Sequence, residues 1–95
     1  MRHAATILIP THWNNGGEIP WQDMDAFLRQ CEKQIGGFTT MLPVLGSWEG
    51  QKERMIPVLL VSERESQIRY MADWAKTWFS QEAILVIWHK GAELI

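Results

Sequence analysis

The stretch at residues 36–61 constrains the fold of this chain more than any other. It opens with a double glycine, continues through β-forming residues as far as Trp48, and reverses at residues 49–51 before a second β-rich run. A glycine-containing reversal between two apolar runs is typical of a β-hairpin. An amphipathic pattern precedes this stretch and another follows it. The sequence therefore predicts a hairpin with one helix before it and one after it along the chain.

The first amphipathic pattern covers residues 20–35 and predicts a helix. Its apolar residues recur with the 3.6-residue period of one helix face, at Met24, Phe27, Leu28, Cys31 and Ile35. Pro20 suits the first helical position, and Gly36 suits the left-handed position that ends a helix. This pattern predicts that Cys31 is a core residue and not a nucleophile.

The second amphipathic pattern begins after the hairpin. Ser62 and Glu65 have the spacing of a capping box, which predicts a helix start at this point. The predicted core stripe of this helix consists of Ile68, Met71, Ala72, Ala75 and Phe79. A neighbouring aromatic stripe consists of Tyr70, Trp74 and Trp78.

Four β-rich runs are predicted as strands, at residues 4–9, 38–48, 55–61 and 83–89. Proline cannot donate a hydrogen bond to a β-ladder, so Pro43 predicts that the second strand is an edge strand or is broken by a bulge. Pro57 cannot donate a ladder hydrogen bond in a central strand either. It predicts that the hairpin overhangs the sheet at this point or that the ladder contains a bulge there.

The order strand, helix, strand, strand, helix, strand is the split βαβ pattern. In this order the chain resembles small ferredoxin-like domains, including those of the dimeric α/β barrel type. The resemblance implies an α+β sandwich of βαββαβ topology, with a four-stranded antiparallel sheet in the order 4-1-3-2 and both helices on one face. It covers nearly all of residues 1–95, which are expected to form a single domain.

The predicted strands are apolar on both faces, although a sheet with one solvated face should alternate apolar and polar residues. Covering a second apolar face would stabilise a small domain, so the sequence predicts a homodimer or larger assembly. The predicted interface residues are Trp48, Met55, Leu59, Val61, Leu85 and Ile87. In the alternative, Trp13, Trp48 and the long loops cover this face within one chain.

The loop after the first strand carries the best polar candidates for a ligand site. Loops on rigid scaffolds often hold binding residues, and this one is rich in polar side chains next to a tryptophan. The candidate ligand-binding residues are His12, Trp13, Asn14 and Asn15. In the alternative, the asparagines and glycines only form the turn and His12 is a solvated histidine.

Other polar residues give weaker signals. His3 and His89 lie near the ends of neighbouring predicted strands, but two imidazoles without a metal-binding spacing predict no metal site. A pair of carboxylates at a pocket mouth would suit acid–base chemistry, although charges at strand ends are usually solvated. The carboxylates that flank strands are Glu49, Glu53 and Glu82.

The composition narrows the classes of partner. The formal net charge of −2 is the wrong sign for a protein that binds a phosphate backbone, and the third predicted strand has no aromatic or basic residue to stack on RNA. Neither glycine pair matches a phosphate-binding fingerprint. One cysteine predicts a reduced, cytoplasmic location, and no apolar run has the ~20 residues of a membrane span.

Two classes of function follow from these features. The first is a small, soluble, oligomeric, non-catalytic domain that binds a small molecule or a protein partner. The second is a cofactor-independent enzyme of the dimeric α/β barrel kind, such as a monooxygenase or isomerase, which the resemblance and the six tryptophans suggest. Haem-degrading members of that group carry a histidine on a helix, and both predicted helices lack one, so no cofactor is expected. Because the sequence contains no catalytic constellation, the non-catalytic class is favoured.

Overall fold

The computed structural model describes residues 2–90, except for the side chain of Trp48. Two helices and an antiparallel sheet of five strands make up an α+β fold, which confirms the predicted class. The elements in chain order are β1 (His3–Pro10), α1 (Trp21–Ile35), β2 (Thr39–Thr40), β3 (Val44–Trp48), β4 (Gln51–Ser62), α2 (Glu65–Trp78) and β5 (Val86–His89).

The sheet has the order β2-β4-β1-β5, and β3 pairs with the remaining length of β4. The prediction of four strands is wrong in number because the predicted second strand is divided. Thr40 pairs with Val58 and Val44 pairs with Met55, so β2 and β3 lie on the same edge of β4. Residues 41–43 between them belong to neither strand, because Pro43 has no backbone N–H to donate.

Pro57 lies inside β4 without a bulge, opposite Leu8 of β1. Its carbonyl oxygen accepts a hydrogen bond of 3.1 Å from the backbone N–H of Met41. The nitrogen and the oxygen of one residue point to the same side of an antiparallel strand. The missing N–H of Pro57 is therefore directed at the edge where β2 has ended and β3 has not begun. The central strand tolerates this proline because the ladder is interrupted beside it.

Both helices pack on one face of the sheet, as predicted. The fully buried residues of β1 and β4 on that face include Ile7, Val58 and Leu60, and they belong to one cluster with the apolar stripes of the helices. The helix residues of this cluster are Met24, Phe27, Leu28, Cys31, Ile68, Met71 and Ala75, followed by Phe79 at the end of α2. The predicted core role of Cys31 is confirmed.

The helix ends agree with the sequence only in part. Gly36 adopts the left-handed conformation with a φ of 103° and ends α1, as predicted. The capping box is wrong, because α2 begins at Glu65 after Arg64, with no side-chain cap. Ser62 instead accepts a hydrogen bond from the backbone N–H of Arg64 and donates one to Oε1 of Gln67. The serine therefore stabilises the turn that leads into the helix.

A row of aromatic rings fills the side of the core between the helices and the first loop. Phe27 lies at its centre, with ring centroids 5.8 Å from both Trp74 and Phe79. Trp13 extends the row from Phe79 at 6.4 Å, and Trp78 extends it from Trp74 at 5.1 Å. Trp13 and Trp74 therefore extend the core, and Trp78, which is 41% exposed, forms the outer end of the row.

The buried thiol predicts how stability depends on alkaline pH. Burial raises the pKa of Cys31 to about 12, although a backbone hydrogen bond partly offsets this rise. The unfolded chain ionises its thiol near pH ~8.5, so the contribution of the protonated thiol is complete below that pH and declines as the pH rises towards 12. We expect a loss of about 2 kcal/mol in unfolding free energy from this group by a pH of about 10. Urea denaturation at several pH values measures it.

The control for this pH dependence is Cys31→Ala. Every other ionisable side chain is common to both proteins, so the difference between the slopes of their pH dependence isolates the thiol. Equal slopes in the wild type and the variant would contradict the prediction.

Candidate functional site

The sheet face opposite the helices carries a row of aliphatic side chains. Side chains alternate between the two faces along a strand. Ile7 and Val58 pair on the helix face, so Thr6, which pairs with both Leu59 and Ile87, lies on the other face. We call this surface the open face and define it by the residues Leu8, Met55, Leu59, Val61, Leu85 and Ile87.

The open face presents apolar area to solvent. Leu85 is 54% exposed and Ile87 is 44% exposed, while the other members are half-buried. The structure therefore places five of the six predicted interface residues on one surface. The sixth, Trp48, has its side chain outside the described part of the chain. The alternative that Trp13 covers this surface is wrong, because that ring packs on the core against Phe79.

The hairpin of β3 and β4 projects beyond the rest of the sheet. The ladder between β1 and β4 ends at the pair Pro10 and Met55, so residues 51–54 of β4 pair only with β3. We call this projecting hairpin of β3 and β4 the hairpin arm. It reverses at Glu49 and Gly50, where the sequence predicts a turn, and both residues have a positive φ. A Cβ atom on Gly46 would overlap the terminal methyl group of Met55, so this glycine lets the methionine lie across the arm.

A crevice of about 410 Å³ lies at the end of the sheet where α1 ends. We call it the glycine crevice, because Gly36 and Gly37 form part of its wall. Its apolar lining includes Ile35, Phe38, Leu59 and Val61. The last two also belong to the open face, so the crevice and the open face share a border.

Polar side chains line the other side of the glycine crevice. Gln67 accepts a hydrogen bond from Ser62 at 2.6 Å and donates one to the carbonyl oxygen of Gln34 at 3.0 Å, which ties the start of α2 to the end of α1. At the rim, Arg2 and Glu63 form an ion pair of 3.1 Å. Both are partly exposed, so the pair can separate at small cost to make room for a ligand.

A second crevice, of about 340 Å³, lies between α2 and the chain that leads into β5. We call it the α2 crevice. Its charged lining consists of Arg69, Asp73, Lys76 and Glu82. Both crevice volumes fall within the range of known small-molecule sites, which begins at roughly 300 Å³.

The loop that was predicted to bind a ligand uses most of its polar side chains to hold its own shape. Asn14 donates a hydrogen bond of 2.8 Å to the carbonyl oxygen of Ser80, and its own oxygen accepts one from Gln81. Asn15 accepts a hydrogen bond of 2.9 Å from the N–H of Gly17. His12 is exposed, with Nδ1 at 2.7 Å from Oγ1 of the neighbouring threonine.

These four loop residues therefore lie together, but they line neither crevice. Two of them connect the loop to the end of α2, since Trp13 packs on Phe79 and Asn14 binds Ser80. Their assignment as ligand-binding residues stays a prediction.

The chain is similar in fold to several solved structures. No protein-family model and no curated protein sequence matches it. The divalent cation tolerance protein CutA1 of Thermus thermophilus matches all of this chain and 88% of its own, with a TM-score of 0.68 and 10% identity. The periplasmic divalent cation tolerance protein CutA of Archaeoglobus fulgidus matches the same shares of both chains, with a TM-score of 0.63 and 13% identity.

A third neighbour belongs to a different class of protein. A phage SAM lyase in complex with S-methyl-5'-thioadenosine matches 93% of this chain and 80% of its own, with a TM-score of 0.64 and 12% identity. At these identities the likeness establishes the fold alone, which is the ferredoxin-like α+β fold of the CutA1 proteins.

Residues 2–90 contain no group of three or more histidine, cysteine, aspartate and glutamate side chains that could hold a metal ion. His3 and His89 are not brought together: Ala4 pairs with His89, so the two imidazoles project from opposite faces of the sheet. His89 instead contacts Oγ1 of Thr6 through Nε2 at 2.7 Å. Neither helix of this part of the chain is long and apolar enough to span a membrane.

The three strand-flanking carboxylates lie on separate elements. Glu49 and Glu53 belong to the hairpin arm, and Glu82 lines the α2 crevice. Sequence reasoning missed both crevices. The glycine crevice is formed by segments that are distant along the chain, and the α2 crevice depends on how the segment after α2 packs against that helix. The signals present in the sequence were the double glycine and the alternation of acidic and basic residues on the second helix.

Proposed function

We propose that this protein is a homo-oligomeric, non-catalytic domain that binds a small molecule or a protein partner. The observation that carries the proposal is the open face, where Leu85 and Ile87 are exposed beside half-buried Met55, Leu59 and Val61. Exposed aliphatic side chains that are grouped on one face of a small protein mark an association site. The CutA1 neighbours that share this fold are named for divalent cation tolerance and not for a reaction.

Association through this face would offset the limited burial of a short chain. Each fully buried aliphatic side chain contributes roughly 1.5–3 kcal/mol to the free energy of association. In a symmetric dimer, each such side chain is buried in both subunits, so its contribution counts twice. A dimer with open face against open face is the smallest closed assembly of this kind. The residues of the helix face, which are already buried, take no part in it.

The two methionines at residues 41 and 55 test which surface is covered. Met55 lies on the open face, and Met41 is exposed near the base of the hairpin. Peroxide converts accessible methionine to the sulfoxide, and mass spectrometry follows each site separately. We expect the oxidation of Met55 to slow as protein concentration rises, while that of Met41 stays constant. A Met55 rate that does not depend on concentration would contradict assembly through the open face.

For the ligand, we propose an amphipathic small molecule in the glycine crevice. The apolar wall of Phe38, Leu59 and Val61 suits an apolar body, and Arg2 and Gln67 offer hydrogen bonds at the other side. S-methyl-5'-thioadenosine, the ligand of the phage lyase that shares this fold, combines both kinds of group. It is therefore the first compound to test, and calorimetric titration is the measurement.

Gly37→Val tests whether the ligand occupies this crevice. A Cβ atom on Gly37 meets no atom within 4 Å, and its φ is not in the left-handed region, so the fold accepts the new side chain. We expect the branched side chain to fill part of the crevice and to weaken binding at least tenfold, measured by calorimetry. Thr40→Val, on the exposed strand β2 outside the lining, is the control.

Two outcomes separate the parts of this proposal. If Gly37→Val binds the compound as tightly as the wild type, the ligand does not occupy the glycine crevice. If the wild type does not bind it, a nucleoside thioether is not the ligand class, whereas the assembly proposal stands on its own test.

We also retain a cytoplasmic location as a proposal, supported by the single cysteine and its buried, free thiol. The monooxygenase or isomerase alternative gains no support from the comparisons, because none of the three neighbours is described as such an enzyme.

A further inference from the structure

The α2 crevice combines an apolar floor with charges of both signs. Its floor consists of Ala72, Ala83, Ile84 and Val86. Above the floor, Arg69, Asp73 and Lys76 occupy one face of α2, because they are spaced by four and then three residues. Glu82 stands on the opposite wall, in the chain that leads into β5. Since seven residues of helix rise ~10 Å, the two cations lie towards opposite ends of the crevice.

One of these cations is already engaged. Nε of Arg69 binds Oε2 of Glu65 at 3.2 Å, and the guanidinium carbon lies 5.0 Å from the ring centroid of Trp88. These contacts hold the arginine over the tryptophan and close one end of the crevice. The glutamate and the ring thus already provide partners for this guanidinium group.

The other three charges remain available to a ligand. Within residues 2–90, Asp73, Lys76 and Glu82 form no ion pair within 4.0 Å. Two carboxylates and one ammonium group thus border an apolar floor without neutralising one another through a direct contact. A simple anion would meet two carboxylates, and a simple amine would leave Lys76 without a partner. A molecule that carries both charges satisfies all three groups.

We propose that the α2 crevice binds a small zwitterion, an α-amino acid with an aliphatic side chain. The ligand's ammonium group faces Asp73 and Glu82, its carboxylate faces Lys76, and its side chain lies on the alanine and isoleucine floor. This site is on the helix side of the molecule, so it goes beyond the proposed function and depends neither on assembly through the open face nor on the glycine crevice.

The experiment is a ¹⁵N NMR titration of the full chain with L-leucine, followed through the indole N–H of Trp88 and the amide of Ala83. 4-Methylpentanoate, which is leucine without its ammonium group, and isoamylamine, which is leucine without its carboxylate, are the matched probes. We expect L-leucine to shift both signals saturably, and each single-charge probe to bind at least tenfold more weakly, because it loses a charge-assisted contact.

Single substitutions on the exposed face of α2 assign the roles. Asp73→Asn and Lys76→Gln should each weaken L-leucine binding roughly tenfold, and Lys33→Gln on α1 should leave it unchanged. The proposal is overturned if L-leucine gives no saturation by about 50 mM, if either single-charge probe binds as well as L-leucine, or if both α2 variants bind as the wild type does. None of these results alters the oligomeric state, which the methionine oxidation rates report separately.

Discussion

Replacing Ile87 by glutamate is expected to convert the assembled protein to a monomer. Ile87 lies on the open face in the edge strand β5, opposite Thr6 in the ladder, and is 44% exposed within one chain. In an assembly through this face it loses its contact with water. The glutamate would remove roughly 1.5–3 kcal/mol of apolar burial at each copy of the side chain and would add the cost of burying a carboxylate. A dimer contains two copies, so we expect the dissociation constant to rise at least ~100-fold.

Light scattering coupled to gel filtration measures this change, and Leu85→Glu on the same face should reproduce it. The matched control is Tyr70→Glu, because Tyr70 is 50% exposed and lies on α2, away from the open face. That variant should assemble like the wild type. Circular dichroism checks that all three variants keep their secondary structure. If Ile87→Glu assembled as the wild type does, the interface would have to lie elsewhere.

Replacing Phe27 by alanine is expected to have the largest effect on stability. The ring is fully buried and stands between Trp74 and Phe79, with centroid distances of 5.8 Å to each. Its removal leaves a cavity that the helices cannot fill, because both neighbouring rings are themselves held by packing. Phe→Ala in a core costs about 3–5 kcal/mol, against a total of roughly 5–15 kcal/mol for a whole domain.

Urea denaturation of a monomeric background, such as Ile87→Glu, separates this loss from any change in assembly. Phe27→Leu should cost less than Phe27→Ala because it retains most of the buried side-chain volume. Trp21→Ala is the control, since Trp21 is 64% exposed on the same helix. A loss below about 1 kcal/mol for Phe27→Ala would show that the aromatic row is not the centre of the core.

The helices could be predicted from the sequence because their signals are local. The spacing from Met24 to Ile35 follows one helix face, and Gly36 supplies a conformation that other residues adopt at a cost. The fold class followed from the order of the elements, and the open face followed from the alternation of side chains in β4 and β5. In each case, residues close together in the sequence carried the information.

The details that the sequence missed depend on contacts between distant segments. Pro43 signalled a break in the edge strand, but the partner that makes this break harmless is Pro57 of β4, whose missing N–H points at the same gap. Ser62 has the spacing of a helix cap, yet its oxygen accepts from the backbone N–H of Arg64, and its hydroxyl donates to Gln67, which also reaches the end of α1. Local patterns do not contain such competition between partners.

The candidate site was harder still to predict. Asn14 looked free to bind a ligand, but its amide bonds to Ser80 and Gln81 across the fold. The glycine crevice brings Arg2 next to Glu63, and the α2 crevice brings Arg69 next to Trp88. Residue types alone indicated neither pairing. Which residues become neighbours at the crevices depends on the order and register of the strands, and these are properties of the whole sheet.

Sedimentation velocity of the wild-type protein over a range of micromolar concentrations tests the central claim most directly. The chain has a mass of 11.0 kDa, so an assembly through the open face predicts a species at a whole multiple of that mass, in equilibrium with monomer at the lowest concentrations. Ile87→Glu, run beside it, should sediment as the 11.0 kDa monomer throughout. A wild-type protein that stays at 11.0 kDa across the whole range would contradict the account.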